Sequence, residues 1–316
     1  MSDRPIMIID GLNLFMRHYA AHPAMSKNGD QVGGIVGFIN GIRYLCEKIG
    51  PSEIYVIWEG QGSTKKRHIF REYKKNKKPK RLNRYYDDIP DTLSNKTNQV
   101  SVIVKALRYT PIRQLYVEGC EADDAIGYMC RYTFKDQRKV IVSSDHDYYQ
   151  LLNNSTLIYS PTLKAFVNKN TVKERYRISA ENFCLVKSIS GDQSDNIPGV
   201  RGLSYKTIAK LVPETTSSQE ITLDEFFEKA KVIQSLKNTK LTERLVCSET
   251  LIRRNWRLVR LDTNNLSLDH INKINTIFEN EKGVKDKLGM LRYIMKLGIN
   301  SLNIDGLYLS LQSLTR

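Results

Sequence analysis

No apolar run in this 316-residue chain approaches the roughly 18 residues that a membrane span needs, and the opening MSDRPIMIIDG lacks the small-residue cleavage site of a signal peptide. The expectation is a soluble, intracellular, cytoplasmic protein with no membrane partner. Cysteine is scarce as well. Cys46, Cys120, Cys130, Cys184 and Cys247 are odd in number, widely separated and free of C-x-x-C spacing, which argues against a disulfide scaffold and fits reduced thiols. Cys120 sits beside Glu121 without an evident His or Asn partner, so it reads as a buried small residue and not as a nucleophile. No Ser-His-Asp arrangement is evident, and GQGSTKK from Gly60 fails the phosphate-loop pattern at its second glycine. His18 and His22 have the i, i+4 spacing of a zinc pair, yet no nearby Glu and third ligand complete a site, and they read as helix-surface histidines. Gly37 and Gly41 form G-x-x-x-G in a soluble helix, where close packing accounts for them.

Acidic residues are the minority: 34 Asp and Glu against 49 Lys and Arg leave a net charge of +15. What acid there is concentrates. IMIID stops at Asp10, IYVIWE at Glu59, LYVEGCEADD at Glu121 to Asp124, and KVIVSSDHD at Asp145 to Asp147. Short runs rich in Ile, Val and Tyr with helical patterns between them predict parallel strands, and ligands of such sheets bind outside the strands' carboxyl ends. Many carboxylates therefore gather at one rim. Two like charges about 4 Å apart cost roughly 4 kcal/mol at an effective dielectric near 20, so the rim needs counter-charge or protons. Divalent metal is the simplest source, and an all-oxygen donor set favours Mg²⁺ or Mn²⁺ over zinc or copper. A basic protein with a local acidic site fits nucleic acid, whose phosphates the surface attracts and a metal-loaded rim can act on. Charge alone would equally suit an anionic membrane surface or solubility, so the motifs must decide.

The pattern predicts strands near 5–10, 54–58, 114–118, 139–143 and 156–160, with helices over about 35–49, 91–109 and 122–132. Beyond a change around 168–180 the chain reads as mainly helical. PETTSSQ (213–219) has a loop composition, and Arg253, Arg254, Arg257 and Arg260 keep the surface basic. The least ordinary stretch is KKRHIFREYKKNKKPKRLNR, residues 65–84, with 11 Lys or Arg opposed only by Glu72. A solvated charge run is its plain alternative.

Glu121, Asp123 and Asp124 open a helix directly after a strand, where ordinary capping is the alternative to metal ligation. Three carboxylates in four residues exceed what a cap needs. Asp145-His146-Asp147 turns two carboxylates toward the same rim, although D-x-D alone is a weak signal and Asp147 could simply cap DYYQLL. Calcium of the EF-hand type is disfavoured, because the central Gly and closing Glu are missing. In SGDQSDNIPGVRGLSYKT, Asp192, Asp195 and Asn196 precede a turn bounded by Gly199 and Gly202 that can present successive backbone N–H groups to a phosphate, with Lys206 close behind. An ordinary loop of acidic turn formers is the alternative, but this is the most specific stretch of the chain.

In this order and spacing, Asp10, EADD (Glu121 to Asp124), SSDHD (Ser143 to Asp147) and GDQSDNIPGVRG (Gly191 to Gly202) resemble the flap endonuclease and 5′-to-3′ exonuclease family, in particular its phage branch, which includes phage ribonuclease H. A phage gene would place the protein in the host cytoplasm. The resemblance runs over about residues 5–212 and implies an α/β fold with a mostly parallel central sheet flanked by helices. It implies a 5′ nuclease catalytic domain over 1–178 with a helical arch at about 62–90, then a helical DNA-binding region over 179–316 with a helix-hairpin-helix (helix-three-turn-helix) element at about 180–212. The implied activity is hydrolysis of phosphodiesters near the 5′ end of branched or nicked DNA, and removal of RNA primers, with two Mg²⁺ ions or substituting Mn²⁺.

By residue, the resemblance assigns Asp10, Glu121, Asp123, Asp124 and Asp145 to one metal group and Asp147, Asp192 and Asp195 to another, some acting through bound water. Asp10 and Asp145 would be catalytic together with Lys74 and Arg67. Lys66, Arg67, Phe70, Arg71, Tyr73, Lys74 and Lys77 fall on the arch. There Lys74 or Arg67 would stabilise charge on the scissile phosphate, and Phe70 and Tyr73 would stack on bases. Gly199, Gly202, Ser204 and Lys206 would hold duplex phosphate and a monovalent cation. The expected partners are DNA with a 5′ single strand, RNA-DNA hybrids and replication proteins such as a single-strand-binding protein, with the protein itself a monomer.

Three residues depart from the family pattern. Glu59 stands where Asp is usual, so its longer side chain reaches through water or sits displaced. His146 replaces a Gly between two carboxylates and reads as an outward surface histidine. Ser204 stands at a Gly position of the hairpin turn. The rival readings are a branched-DNA-binding protein that has lost catalysis, which Glu59 and His146 would suggest, and a phosphatase with Asp145 or Asp10 as D-x-D nucleophile. Asp10 lacks the companion acid two residues on, where Leu12 stands.

Overall fold

A computed structural model describes residues 4–60, 62–75, 93–280 and 283–314. Strands β1 (Ile6–Asp10), β2 (Glu53–Trp58), β3 (Arg113–Tyr116), β4 (Lys139–Val142), β5 (Thr156–Ser160) and β6 (Ala165–Val167) form one sheet in the order β3-β2-β1-β4-β5-β6. Strands β1 to β5 pair in parallel, and β6 runs antiparallel to β5. Every residue of β1 is buried because helices cover both faces, which is why IMIID is continuously apolar instead of alternating.

The two-residue period still sorts the strand between two cores. Ile6 and Ile8 face a core shared with Leu115, Ile126, Ile141 and Phe183, and Met7 and Ile9 face one shared with Phe15, Phe38, Ile103 and Leu307. On that second face, helix Gly11–Ala21 packs against helix Gly33–Ile49. A Cβ at Gly37 would lie 2.6 Å from the His18 side chain, so the glycines serve close packing as expected. His18 itself departs from the surface expectation. It is half-buried between the two helices, and burial lowers its pKa to about 4.

Connections reverse direction at β1, with β2 on one side and β4 on the other. This switch point places the carboxyl ends of three strands side by side, with Asp10 in register with Ile57, and Ile9 with Val142. Three local details differ from the sequence expectation. Strand β6 has three residues, two of them exposed, too few for a pattern. The helix after Glu121 is α-helical over Ala122–Tyr128 and continues as a π turn over Met129–Thr133. The DYYQL part of DYYQLL lies in a 3-10 helix, His146–Leu151. Among the described residues no helix is long and apolar enough to cross a membrane.

Candidate active site

Asp10 ends β1 and is nearly buried. One carboxylate oxygen accepts the Asn13 N–H at 3.0 Å, capping helix Gly11–Ala21, and the other accepts the Tyr148 hydroxyl at 3.1 Å and the Ser143 hydroxyl at 3.3 Å. Burial pushes its pKa up to about 6 despite those donors, and Asp123 and Glu59 add to the rise.

Glu121, Asp123 and Asp124 each bring a carboxylate oxygen within 4.8 Å of the others. Lys66, from helix Thr64–Ile69, projects among them, with Nζ 2.6 Å from Glu121, 3.1 Å from Asp124 and 3.6 Å from Asp123. Lys66 is 2% exposed. Glu121 also accepts from the Ser63 hydroxyl, the Tyr73 hydroxyl at 3.0 Å and Lys74 Nζ at 2.6 Å, and makes no side-chain bond to its own helix, so it is not a cap. Burial would raise its pKa, but Lys66 and Lys74 outweigh burial and hold it well below the usual carboxylate range. Asp124 accepts the Asn265 amide at 3.0 Å. Its burial, reinforced by Asp123 and Glu121 and opposed by Lys66, pushes it up to about 7.

A second group lies around Lys187 of helix Phe183–Ser190. Asp145, not Asp147, caps the 3-10 helix by accepting the Asp147 N–H at 2.9 Å. The Asp147 carboxylate turns inward onto Lys187, whose Nζ also lies 2.7 Å from Asp192. Against its own burial, Asp192 is held down to about 2 by Lys187 and Ser194. Burial and the neighbouring Asp145 push Asp147 up to about 7. Lys74 joins the two groups. Its Nζ is 3.9 Å from Asp195 and its N–H donates to the Asp195 carbonyl at 3.0 Å, with a left-handed φ of 53° whose cost is on the order of 1 kcal/mol. Hard oxygens at this density, several of them buried and sharing a lysine, match the donor set of a divalent cation.

Residues 5–177 match the model of the 5′-3′ exonuclease N-terminal, resolvase-like domain. The chain belongs to the 5′-3′ exonuclease family. DNA polymerase I of Caldicellulosiruptor bescii is 32% identical over 225 residues, covering 68% of this chain and 25% of that protein. The 5′-3′ exonuclease of Buchnera aphidicola subsp. Acyrthosiphon pisum is 28% identical over 224 residues, covering 70% of this chain and 74% of that protein. The chain thus spans about a quarter of the DNA polymerase I relatives. The fold is that of the bacteriophage T5 D15 flap endonuclease, seen in a pseudo-enzyme-product complex with DNA and metal ions, with a TM-score of 0.67 at 22% identity over 87% of this chain and 98% of that one. The matched family is one of 5′-3′ exonucleases, and Glu121, Asp123 and Asp124 are grouped closely enough that they could hold a metal ion.

Within that family frame, the basic stretch is arranged differently from the sequence expectation. Lys66 and Tyr73 face the carboxylates and are buried, because desolvated carboxylates draw cations and donors inward. Phe70 is half-buried beneath Arg254, whereas Arg67 and Arg71 are exposed. Lys77 and most of the expected arch lie outside the described residues. Glu59 follows β2 at the rim, close enough to raise the pKa of Asp10. His146 is exposed, with Nδ1 3.2 Å from the Tyr176 hydroxyl and its ring stacked on Tyr149.

In the hairpin, a Cβ at Gly199 would lie 2.0 Å from the Ser190 carbonyl oxygen, and Gly202 has φ +87°, so both positions demand glycine. Ser204 instead caps helix Tyr205–Leu211, its hydroxyl accepting the Thr207 N–H at 3.3 Å. Lys206 is exposed beside it. Sequence reasoning missed Lys187, Tyr148, Ser63 and Asn265. Only Lys187 left a signal, as the single charge in the otherwise apolar and small FCLVKSIS.

Proposed function

We propose that this protein is a Mg²⁺-dependent, structure-specific 5′ nuclease that cuts phosphodiesters at flaps, nicks and RNA primers during DNA replication and repair. The observation that carries this reading is the convergence of carboxylates from residues 121–124, 145–147 and 192–195 around buried lysines, with Asp10 at the end of β1 close enough to Asp123 for their charges to interact. Asp10, Glu121, Asp123, Asp124 and Asp145, with Glu59 at the edge, would hold one ion, and Asp147, Asp192 and Asp195 the other. Bound there, the ions would lower the pKa of the attacking water and neutralise the leaving 3′ oxygen. The protein's own groups supply the rest. Tyr148 and Ser143 orient Asp10, Lys187 fixes Asp147 and Asp192, and Lys74, already at the junction of the two groups, is the cation to meet charge developing on the scissile phosphate, with exposed Arg67 as the alternative.

Exposed Gly202, Ser204 and Lys206 would take duplex phosphate, with a monovalent cation at the turn. In this reading residues 1–178 form the catalytic unit and 179–316 the DNA-binding unit, working as a cytoplasmic monomer beside replication proteins such as a single-strand-binding protein. The test is product sizing on a 5′-labelled flap, a blunt duplex and an RNA-DNA hybrid, with and without Mg²⁺. Release of the labelled flap only with metal, leaving a 5′ phosphate on the downstream strand, is the expected result. A flap left intact across Mg²⁺ and Mn²⁺ titrations refutes the nuclease.

A further inference from the structure

We infer that Arg254, in helix Glu249–Val259, is a positioning residue that braces the turn carrying Tyr73 and Lys74 into the carboxylate cluster. The inference rests on the nuclease reading above. Arg254 lies beyond the residues matched by the family model, yet its guanidinium carbon sits 4.1 Å from the centroid of the Phe70 ring. Phe70, with Ile69 and Trp256, packs on a small core of Tyr73, Cys184, Ile197, Leu258 and Val259. Three residues after Phe70 the chain reaches the site, with the Tyr73 N–H donating to the Phe70 carbonyl at 3.0 Å and the Tyr73 hydroxyl to Glu121.

The same turn is gripped from the other side. Lys74 N–H donates to the Asp195 carbonyl, and the Asn196 amide donates to the carbonyls of Glu72 and Lys75. Arg254 also donates to the Asn255 side chain, whose amide reaches the Ser188 and Pro198 carbonyls, so the brace is anchored to the helix that holds Lys187.

Charge pairing does not account for Arg254. Arg253 pairs with Asp224 and Glu249 and Arg260 with Glu220, whereas among the described residues Arg254 has no carboxylate partner and its Nε–H is buried without an acceptor. An unmade hydrogen bond is unfavourable, and the face-on stack over Phe70 is what this side chain makes in its place. Because Lys74 bridges both carboxylate groups, a loosened Phe70 would misplace it without touching any carboxylate.

The experiment compares the full-length protein with Arg254→Ala, Arg254→Met and Phe70→Ala on a 5′ flap with Mg²⁺. Arg254→Ala is expected to lower kcat roughly 10-fold with KM nearly unchanged, since small misplacements of reacting groups have effects of this size. Arg254→Met, which keeps an unbranched side chain over the ring, should restore most of that rate, and Phe70→Ala should match Arg254→Ala. Equal loss in the Ala and Met variants, or loss confined to KM with the salt dependence of binding reduced by about one phosphate contact, would make Arg254 a DNA ligand and overturn the brace. Hydrogen exchange reads the same brace without catalysis. The Tyr73 and Lys74 amides should exchange about 10-fold faster in Arg254→Ala while β1 stays protected. Unchanged exchange sinks the inference even where cleavage succeeds, and a wild-type protein that fails to cleave refutes the nuclease reading while leaving this measurement decisive.

Discussion

Lys66 reaches Glu121, Asp123 and Asp124 from a six-residue helix at the foot of the expected arch, whereas Lys187 reaches Asp147 and Asp192 from a helix in which seven of eight residues are buried. The electrostatic outcome is nonetheless alike. Each lysine faces more carboxylates than it can neutralise. One acid in each group is held low, Glu121 and Asp192, and another is pushed up to about 7, Asp124 and Asp147. In both groups a divalent cation would replace a proton, but the lysine's freedom to yield differs. Lys66 stands on a helix of six residues at the edge of the described segment, and Lys187 on a helix buried along almost its whole length. On the proposed reading, the first group would exchange its lysine for metal, while the second would accept metal beside its lysine.

The strongest way to break this comparison is to remove one carboxylate from each group. Asp145→Asn and Asp192→Asn are each expected to reduce flap cleavage by at least about 100-fold, the scale of losing a main electrostatic contact in the transition state, while flap binding persists. Cleavage within a few fold of wild type in both variants would remove the two-group account. Next in size is the exchange of lysines. Lys187→Met should destabilise the metal-free protein by roughly 3–5 kcal/mol, because it leaves buried Asp147 and half-buried Asp192 without their partner. Lys66→Met should cost less than half of that, since Lys74 remains on Glu121 and Asn265 on Asp124, and Mg²⁺ should recover most of it. Urea unfolding with and without Mg²⁺ measures both, and equal losses with equal recovery would erase the proposed difference.

How far the sequence disclosed these groups depends on whether a local pattern records the contact. Asp10, Asp145 and the EADD run were legible because Ile- and Val-rich strands end on them and the switch point follows from parallel connections. Lys187 was legible in principle, as a lone cation in a buried helix. The inward turn of Lys66 and Tyr73 was not, because a basic run reads the same whether it meets solvent, phosphate or carboxylates contributed by a segment about fifty residues away. Strand β6 escaped because three residues at an edge carry no period, and Ser204 read only as a departure from a glycine position, with its role as a helix cap unseen.

Protons offer a milder probe of the same symmetry. Asp124 and Asp147 have folded pKa values raised from about 3.8 to about 7. The folded state then binds more protons than the unfolded chain between these values, so their contribution to stability is fully present below about pH 4 and is lost as pH rises to about 7. The metal-free protein should lose melting temperature between pH 5 and 8 on account of these groups. Saturating Mg²⁺, which competes with both protons, should flatten or reverse that slope, and apparent Mg²⁺ affinity should climb across the same interval. An affinity independent of pH from 5 to 8 would mean that neither acid is a ligand.

The smallest expected effect separates the groups by their neutral donors. Asn265 gives Asp124 a single amide hydrogen bond, while Ser194 gives Asp192 both its N–H and its hydroxyl, at 2.8 and 2.6 Å. Supporting donors of this kind typically alter metal affinity by about 10-fold or more. Asn265→Ala should weaken Mg²⁺ binding about 10-fold at pH 7, because it also lets the Asp124 pKa rise further, and the deficit should narrow at pH 8.5 where the competing proton is gone. Ser194→Ala should have a smaller effect with no pH dependence in that range, since Lys187 keeps Asp192 charged throughout. Isothermal titration at the two pH values distinguishes them. Identical, pH-independent losses would place the raised acid elsewhere and end the pairing of Asp124 with Asp147.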